Sequence, residues 1–168
     1  MRSPSQLQQA LFAGVYTLGL LVLQAVWVSR LPYPAMRADL LLPLMFGLAI
    51  TWPPLASLSW AFIWGFVVDT LSGKFWGFHV GSYVVAVCLV NAASEKFELQ
   101  NPLYQMLLVG LGAFGQSLSL CLFLLLEPYT MADLPSMWKE LIIRSFFIML
   151  LAPFIIYPIR NVRGMLFS

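Results

Sequence analysis

The sequence predicts an all-α membrane protein, a bundle of about six transmembrane helices of which two are short. Of the 168 residues, 61% are apolar and 10% are charged, whereas a soluble domain is about half apolar and about a quarter charged. Runs such as 10–28, 103–126 and 142–159 each approach the ~20 apolar residues that cross a hydrocarbon core. We therefore expect one transmembrane domain covering residues 1–168.

Six helices can be assigned from the apolar runs and from the prolines and polar loops between them. The first ends near Trp27 and Arg30, residue types that favour a membrane interface. Polar loops at 95–101 and 127–137 flank the fifth helix, and Pro102 suits its first turn. The predicted ranges are about 7–29, 39–51, 55–70, 78–94, 103–126 and 138–158.

The second and third predicted helices are short and adjacent. Pro53 and Pro54 separate them, because proline lacks a backbone donor and disfavours helix at the residue before it. At 1.5 Å per residue the second helix is about 20 Å long, whereas the hydrocarbon core is roughly 30 Å thick. We therefore expect it to be tucked among other helices or re-entrant. The third places Trp60 and Trp64 on one face, toward packing or lipid.

The sequence offers no recognisable catalytic or metal-binding constellation. His79 is the only histidine, so neither a catalytic triad nor a zinc site of histidines and cysteines can be assembled. Cys88 and Cys121 each lie within an apolar run, where a thiol behaves as a small hydrophobic group. The net charge is only +2, with no basic cluster suited to phosphate. We expect neither enzymatic activity nor a cofactor, and no nucleic acid as a partner.

Charged residues beside the membrane segments are the candidate functional residues, because charges are costly there and need partners. If six helices cross alternately, four of these residues reach the same face of the membrane. They are Arg37, Asp39, Asp69 and Lys74. This placement predicts a local cluster of ion pairs.

Asp69 is the most informative member of that cluster. A carboxylate near a helix C-terminus opposes the helix dipole and needs a cation or backbone donors. One interpretation is a proton or substrate site. The other is a structural corner in which Asp69 ties down the turn at Ser72 and Gly73. The second is favoured because no other acid lies in the same segment.

The fifth predicted helix carries a row of small residues on roughly one face, at Gly112, Gly115 and Ser119. Small side chains let transmembrane helices approach closely, so the row predicts a helix-packing seam. Gln116 lies in the same helix and is expected to hydrogen-bond to another helix.

The distribution of Lys and Arg does not decide the orientation in the membrane. Six crossings divide the eight Lys and Arg residues at the termini, loops and helix ends four against four. Neither side of the membrane therefore has the excess of cations that marks the cytoplasmic side. One side holds Arg2, Lys96, Arg160 and Arg163, and the other holds Arg30, Arg37, Lys74 and Lys139.

The segment from Asp69 to Gly77, Asp-Thr-Leu-Ser-Gly-Lys-Phe-Trp-Gly, resembles the MreD family of bacterial rod-shape-determining membrane proteins. That family commonly shows Asp-x-Leu/Ile-Ser-Gly-x-x-x-Gly at this place. The segment 37–42 is similar to the start of the family's second helix, with Ala38 where proline is usual. Total length, the proline-marked break and the basic residues of 160–163 extend the resemblance over nearly the whole chain.

The resemblance implies a multi-pass inner-membrane protein with both termini cytoplasmic. It also implies a fold like the substrate-binding subunits of energy-coupling-factor vitamin transporters, and no catalytic residues. The implied role is a non-enzymatic component of the cell-elongation complex that organises lateral peptidoglycan synthesis and cell shape. The implied partners are membrane lipid and MreC, and through MreC the MreB filament, RodA and a penicillin-binding transpeptidase.

Two other classes of function stay open on the sequence. A substrate-binding subunit of a vitamin-type transporter is compatible with the size and the short broken helices, and it would need a pocket lined by convergent polar groups. An intramembrane enzyme would need acids or histidines inside the bundle. Only Asp69, His79 and Glu127 lie near it, so this class ranks last.

Overall fold

The computed structural model describes residues 6–26, 30, 39–72, 76–94, 101–125 and 134–167, and in these ranges it contains α-helices and no strand. The helices, in chain order, are α1 (Gln6–Val26), α2 (Leu41–Thr51), α3 (Pro54–Ser72), α4 (Phe78–Ser94), α5 (Pro102–Leu125) and α6 (Leu134–Phe167). Four of them, α1, α3, α5 and α6, are long and apolar enough to cross a membrane. The prediction of an all-helical membrane protein is confirmed at this level.

The helix ends follow local backbone chemistry. Pro54 and Pro102 each occupy the first position of a helix, where the N–H that proline lacks would have no helical partner. The side-chain oxygen of Asn101 accepts a hydrogen bond of 3.0 Å from the Leu103 N–H, which caps the start of α5. These local rules explain why the predicted ends of α2 to α5 lie within about two residues of the observed ends.

The sixth helix corrects the predicted range of 138–158. α6 runs from Leu134 to Phe167, and it contains Pro153 and Pro158. Each proline removes only one backbone donor, and neighbouring helices and small local adjustments compensate for such losses in membrane helices. Pro158 therefore lies inside the helix, whereas the predicted range ended at this position.

The second helix lies at the centre of the bundle. α2 contacts each of the other five helices, and every residue from Leu41 to Ala49 is buried. A helix that is apolar all round is stable only when it is enclosed on all sides. The expectation that this short helix is tucked among the others is confirmed.

α3 and α4 form a close helical pair. The buried face of α3 carries small residues four positions apart, at Ser57, Ala61 and Gly65. A Cβ atom placed on Gly65 would lie 2.6 Å from the Cα of Val80 in α4. The two backbones therefore approach as closely as a glycine allows, which is typical of membrane helix pairs.

α1 packs on the outside of this core. Its Tyr16 hydroxyl donates to the Ile155 carbonyl of α6 at 3.1 Å, and its Thr17 hydroxyl accepts from the Trp60 indole of α3 at 3.3 Å. The opposite face exposes Leu11, Val15 and other large apolar side chains. That face suits a lipid environment.

Candidate functional site

The side chain of Asp39 is a polar centre inside the apolar bundle. It is 1% exposed and precedes the first turn of α2. The Tyr83 hydroxyl of α4 lies 2.9 and 2.8 Å from the two carboxylate oxygens. The Gln116 amide of α5 donates to Asp39 at 3.0 Å, and the Leu41 N–H donates at 3.1 Å. One carboxylate thus joins α4 and α5 to the N-terminus of α2.

The backbone N–H of Leu40, the residue after Asp39, is also hydrogen-bonded to a side chain. The Leu40 N–H donates to the Gln24 amide oxygen of α1 at 3.0 Å. The first N–H groups of a helix have no partner within the helix. Here Asp39 and Gln24 satisfy two donors at the start of the central helix.

Asp69 forms a second buried polar centre, at the junction of α3 and α4. The residue is 1% exposed. Its carboxylate accepts hydrogen bonds from the N–H groups of Gly77, His79 and Val80 at 3.0, 3.0 and 3.2 Å. The His79 ring Nδ1 lies 2.9 Å from the same carboxylate. A carboxylate at the start of α4 satisfies unpaired donors and interacts favourably with the helix dipole.

The two carboxylate centres lie at the same end of the bundle. The rings of His79 and Tyr83, the partners of Asp69 and Asp39, are 6.0 Å apart at an angle of 63°. Ser72 adds a hydrogen bond of 3.2 Å from its hydroxyl to the Asp69 carbonyl. The contact between the His79 and Tyr83 rings therefore links the α3–α4 corner to the polar centre at the start of α2.

Arg144 of α6 is a cation in the neighbourhood of Tyr83 and therefore of the centre at Asp39. Its charge acts electrostatically on Tyr83. Its buried Nε atom has no hydrogen-bond partner. The His79 Nδ1 atom lies 2.9 Å from an Asp69 carboxylate oxygen, a contact that is an ion pair only when the imidazole is protonated.

Four of the seven residues of the predicted polar corner lie in the part of the chain that the structure describes. The structure brings Asp69, Ser72 and Gly77 together, and it connects them with Asp39 through His79 and Tyr83. Gly77 has a φ of +86°, a conformation that favours glycine. The expected partners Arg37, Gly73 and Lys74 lie outside the described residues.

The side chains that bind the two carboxylates were not predicted from the sequence. Tyr83 and His79 were missed as partners, although both lie in the predicted fourth helix, four residues apart and so on one face. That spacing was the available signal. The interhelical hydrogen bond expected of Gln116 is present, and its acceptor is Asp39.

The predicted packing seam on α5 is divided between two environments. A Cβ atom on Gly112 would lie 2.5 Å from the Phe46 ring of α2, so this glycine makes room for an aromatic side chain. Gly115 has no atom within 4 Å of the equivalent position. Together with the exposed Ser119, it lines an open groove between α4 and α5.

The hydrogen bonds of these groups hold helices together. Within the described ranges, no three His, Cys, Asp or Glu residues are placed to bind a metal ion. Both buried carboxylates receive several hydrogen bonds from the protein. The whole chain matches no protein-family model, no characterised protein and no solved structure.

Proposed function

We propose that this protein is a non-enzymatic, multi-pass component of the bacterial cell-elongation complex in the inner membrane. In this role it binds MreC and helps to organise lateral peptidoglycan synthesis, as the resemblance to MreD implies. Through MreC it would be linked to MreB, RodA and a penicillin-binding transpeptidase. Both termini would lie in the cytoplasm.

One observation carries the proposal of a scaffold. The two buried carboxylates, Asp39 and Asp69, are used to join helices and to cap helix starts. A catalytic carboxylate needs access to a reacting atom, whereas both of these are about 99% buried with protein donors. The motif that supports the resemblance, 69–77, therefore acts in our proposal as a structural corner of a rigid bundle.

The outer surface fits the same proposal. Large apolar side chains such as Phe62, Leu111 and Phe154 are exposed on several helices. A protein with this surface binds partners through helix faces, where close packing and interhelical hydrogen bonds supply the affinity.

The test combines depletion with co-purification from the natural host. We expect depletion to convert rod-shaped cells to round cells. We also expect the tagged chain, extracted in a mild detergent, to recover MreC. Cells that keep their shape after depletion, together with a preparation that lacks MreC, would exclude the proposal. A tagged unrelated polytopic protein controls for detergent mixing.

A second candidate is supported by the groove between α4 and α5. Its volume is about 670 Å³, within the roughly 300–1,000 Å³ of small-molecule sites. This favours a substrate-binding subunit of a vitamin-type transporter. Recovery of transporter ATPases and a bound vitamin in the same purification would support it over the scaffold.

A further inference from the structure

Arg144 is a charged residue inside one of the helices that are long enough to cross the membrane. The candidate span of α6 covers Trp138–Ile159, and Arg144 lies six residues, or about 9 Å, from its first residue. Charged side chains inside a membrane segment are costly, and they normally pair with another group or mark a site. The carboxylates of Asp39 and Asp69 have such partners in the protein, which distinguishes them from Arg144.

The donors of Arg144 are not satisfied by the part of the chain that the structure describes. Its Nε atom is buried and has no hydrogen-bond partner, and within the described ranges its guanidinium forms no ion pair with a carboxylate. Asp39 is nearby, but its two oxygens already accept from three donors of the protein. A buried guanidinium donor without an acceptor is costly. An acceptor from outside the described chain would remove that cost.

Arg144 lies on the side of α6 that contacts α1. The hydrogen bond from Tyr16 to the Ile155 carbonyl joins these two helices, and Arg144 precedes Ile155 by eleven residues, close to three full turns, which places both on one face. Gln24 of α1 binds the Leu40 N–H at the start of α2, the same end of the bundle as Arg144. Arg144 and Gln24 therefore lie at one end of the contact between α1 and α6.

The surroundings of Arg144 are those of a lipid rather than of a water-soluble ligand. The residue is partly exposed, so a group from outside can reach it. A helical side chain leans toward the N-terminus of its helix, here toward Trp138, which is 46% exposed and of the type that marks a membrane interface. The adjacent Ile143 is 50% exposed and apolar. A molecule with an anionic head and an apolar tail fits both neighbours.

We infer that Arg144 binds the phosphate group of an anionic phospholipid at the junction of α1 and α6, with the acyl chains along the apolar surface of α6. The guanidinium is always protonated, and its planar fork of donors matches phosphate oxygens. The NH₂ group of Gln24 is not used in the bond to Leu40 and supplies a second donor at the same end. The inference goes beyond the proposed function and does not depend on it.

Two other anions fit the position of Arg144 less well. A free phosphate ion would lose hydration beside the exposed Ile143 without burying any apolar group in return. A carboxylate on a partner's membrane helix would be a costly charge in hydrocarbon before it docked. A lipid phosphate already lies at the interface, and its acyl chains already lie in the hydrocarbon. The lipid is therefore the occupant that the position favours.

The first experiment measures lipid binding by native mass spectrometry of the full-length protein in a neutral detergent with equal amounts of phosphatidylglycerol and phosphatidylcholine. We expect the wild type to retain phosphatidylglycerol about fivefold more often, and Arg144→Gln to lose this preference. Arg144→Lys should be intermediate, because it keeps the charge and loses the planar fork. An Arg144→Gln variant with the preference of the wild type would overturn the inference.

Lys139→Gln is the matched control for the loss of a positive charge. Lys139 is exposed on the same helix, and five residues place it about 140° around the helix from Arg144. The control should keep the full preference for phosphatidylglycerol. If Lys139→Gln and Arg144→Gln reduce the preference equally, the binding depends on surface charge in general and the inference is overturned.

The melting temperature of the wild type separates a lipid phosphate from a free ion, because a ligand that binds the folded state raises it. Short-chain phosphatidylglycerol should raise the melting temperature, whereas inorganic phosphate at the same concentration should leave it unchanged. An equal increase with inorganic phosphate would assign the site to an anion without a tail and would overturn the lipid assignment.

The last experiment uses the unaltered protein, so it is informative even if Arg144→Gln does not fold. Phosphatidylglycerol with a photoreactive group beside its glycerol is supplied in vesicles that contain the protein. We expect adducts near Phe147 on α6 or near Gln24 on α1. Adducts spread evenly over the exposed helices, or the same adducts from a phosphatidylcholine analogue, would overturn the inference. Intact cell shape after depletion would exclude the cell-elongation role and leave this lipid site unaffected.

Discussion

At the scale of single residues, the notable feature is that buried carboxylates are held mainly by neutral donors. Asp39 receives a hydroxyl, an amide and a backbone N–H, and Asp69 receives three backbone N–H groups and lies beside an imidazole. Burying a charge is tolerated only when such hydrogen bonds replace its hydration. Each carboxylate therefore fixes the positions of the elements that supply its donors.

Replacing Asp69 by asparagine tests the corner. The amide keeps one acceptor oxygen but places an NH₂ group among the donors of Gly77, His79 and Val80. We expect a loss of about 1–3 kcal/mol in the free energy of unfolding, measured by thermal unfolding in detergent. Glu140→Gln, at an exposed position of α6, is the control and should change it by less than about 0.5 kcal/mol. Equal behaviour of the two variants would contradict this role.

Tyr83→Phe tests the centre at Asp39. The substitution removes the hydroxyl that contacts both carboxylate oxygens and leaves the ring in place. Because a hydrogen bond to a charged group contributes about 1.5–3 kcal/mol, we expect a decrease of that order. Tyr157→Phe, at a residue 67% exposed, serves as the comparison. A melting temperature of Tyr83→Phe equal to that of the wild type would refute the assignment.

At the scale of helices, α2 and the α3–α4 pair determine the arrangement. α2 is short and enclosed, so it is stabilised by burial rather than by spanning the membrane. α3 and α4 are joined by close backbone contact at Gly65 and by the Asp69 corner at one end. α4 makes few contacts with α5, and a groove lies between these two helices.

Replacing two different glycines by alanine should change the free energy of unfolding in opposite directions. In Gly65→Ala the new methyl would lie 2.6 Å from a backbone atom of α4, which cannot move independently. We expect a destabilisation of about 1–3 kcal/mol from overpacking. In Gly81→Ala the methyl enters open space, and the better helix propensity of alanine should raise stability by up to about 1 kcal/mol. The free energy of unfolding of both variants is measured under identical detergent conditions. A Gly65→Ala variant as stable as the wild type would contradict the close contact between α3 and α4.

At the scale of the whole molecule, the described helices form one bundle around α2, with both carboxylate centres at one end. If both termini are cytoplasmic, that end faces away from the cytoplasm. The charges alone left the direction open, because Lys and Arg are equally divided.

Cysteine labelling determines this orientation. In a background with Cys88→Ser and Cys121→Ser, we expect an impermeant maleimide to label Leu71→Cys in spheroplasts. Ser94→Cys should react only after permeabilisation. The two positions are exposed and lie at opposite ends of the α3–α4 pair. The reverse pattern would show that the carboxylate end faces the cytoplasm.

The sequence by itself determined the helical membrane class, the break at Pro53 and Pro54, and the buried position of the short second helix. These properties depend on local hydropathy and on backbone donors, which a single chain segment carries within itself. The extension of α6 beyond Pro158 was not predictable on that basis, since whether a proline ends a membrane helix depends on its surroundings.

Only the tertiary structure decided which groups meet. Tyr83 and Gln116 are 44 and 77 residues from Asp39 in the chain, and their contact depends on how three helices are rotated and packed. The predicted row of small residues on α5 is likewise divided by the packing: Gly112 packs against α2, whereas Gly115 lines an open groove. Spacing along a helix shows which residues share a face, but the neighbours of that face are set by the packing of the whole bundle.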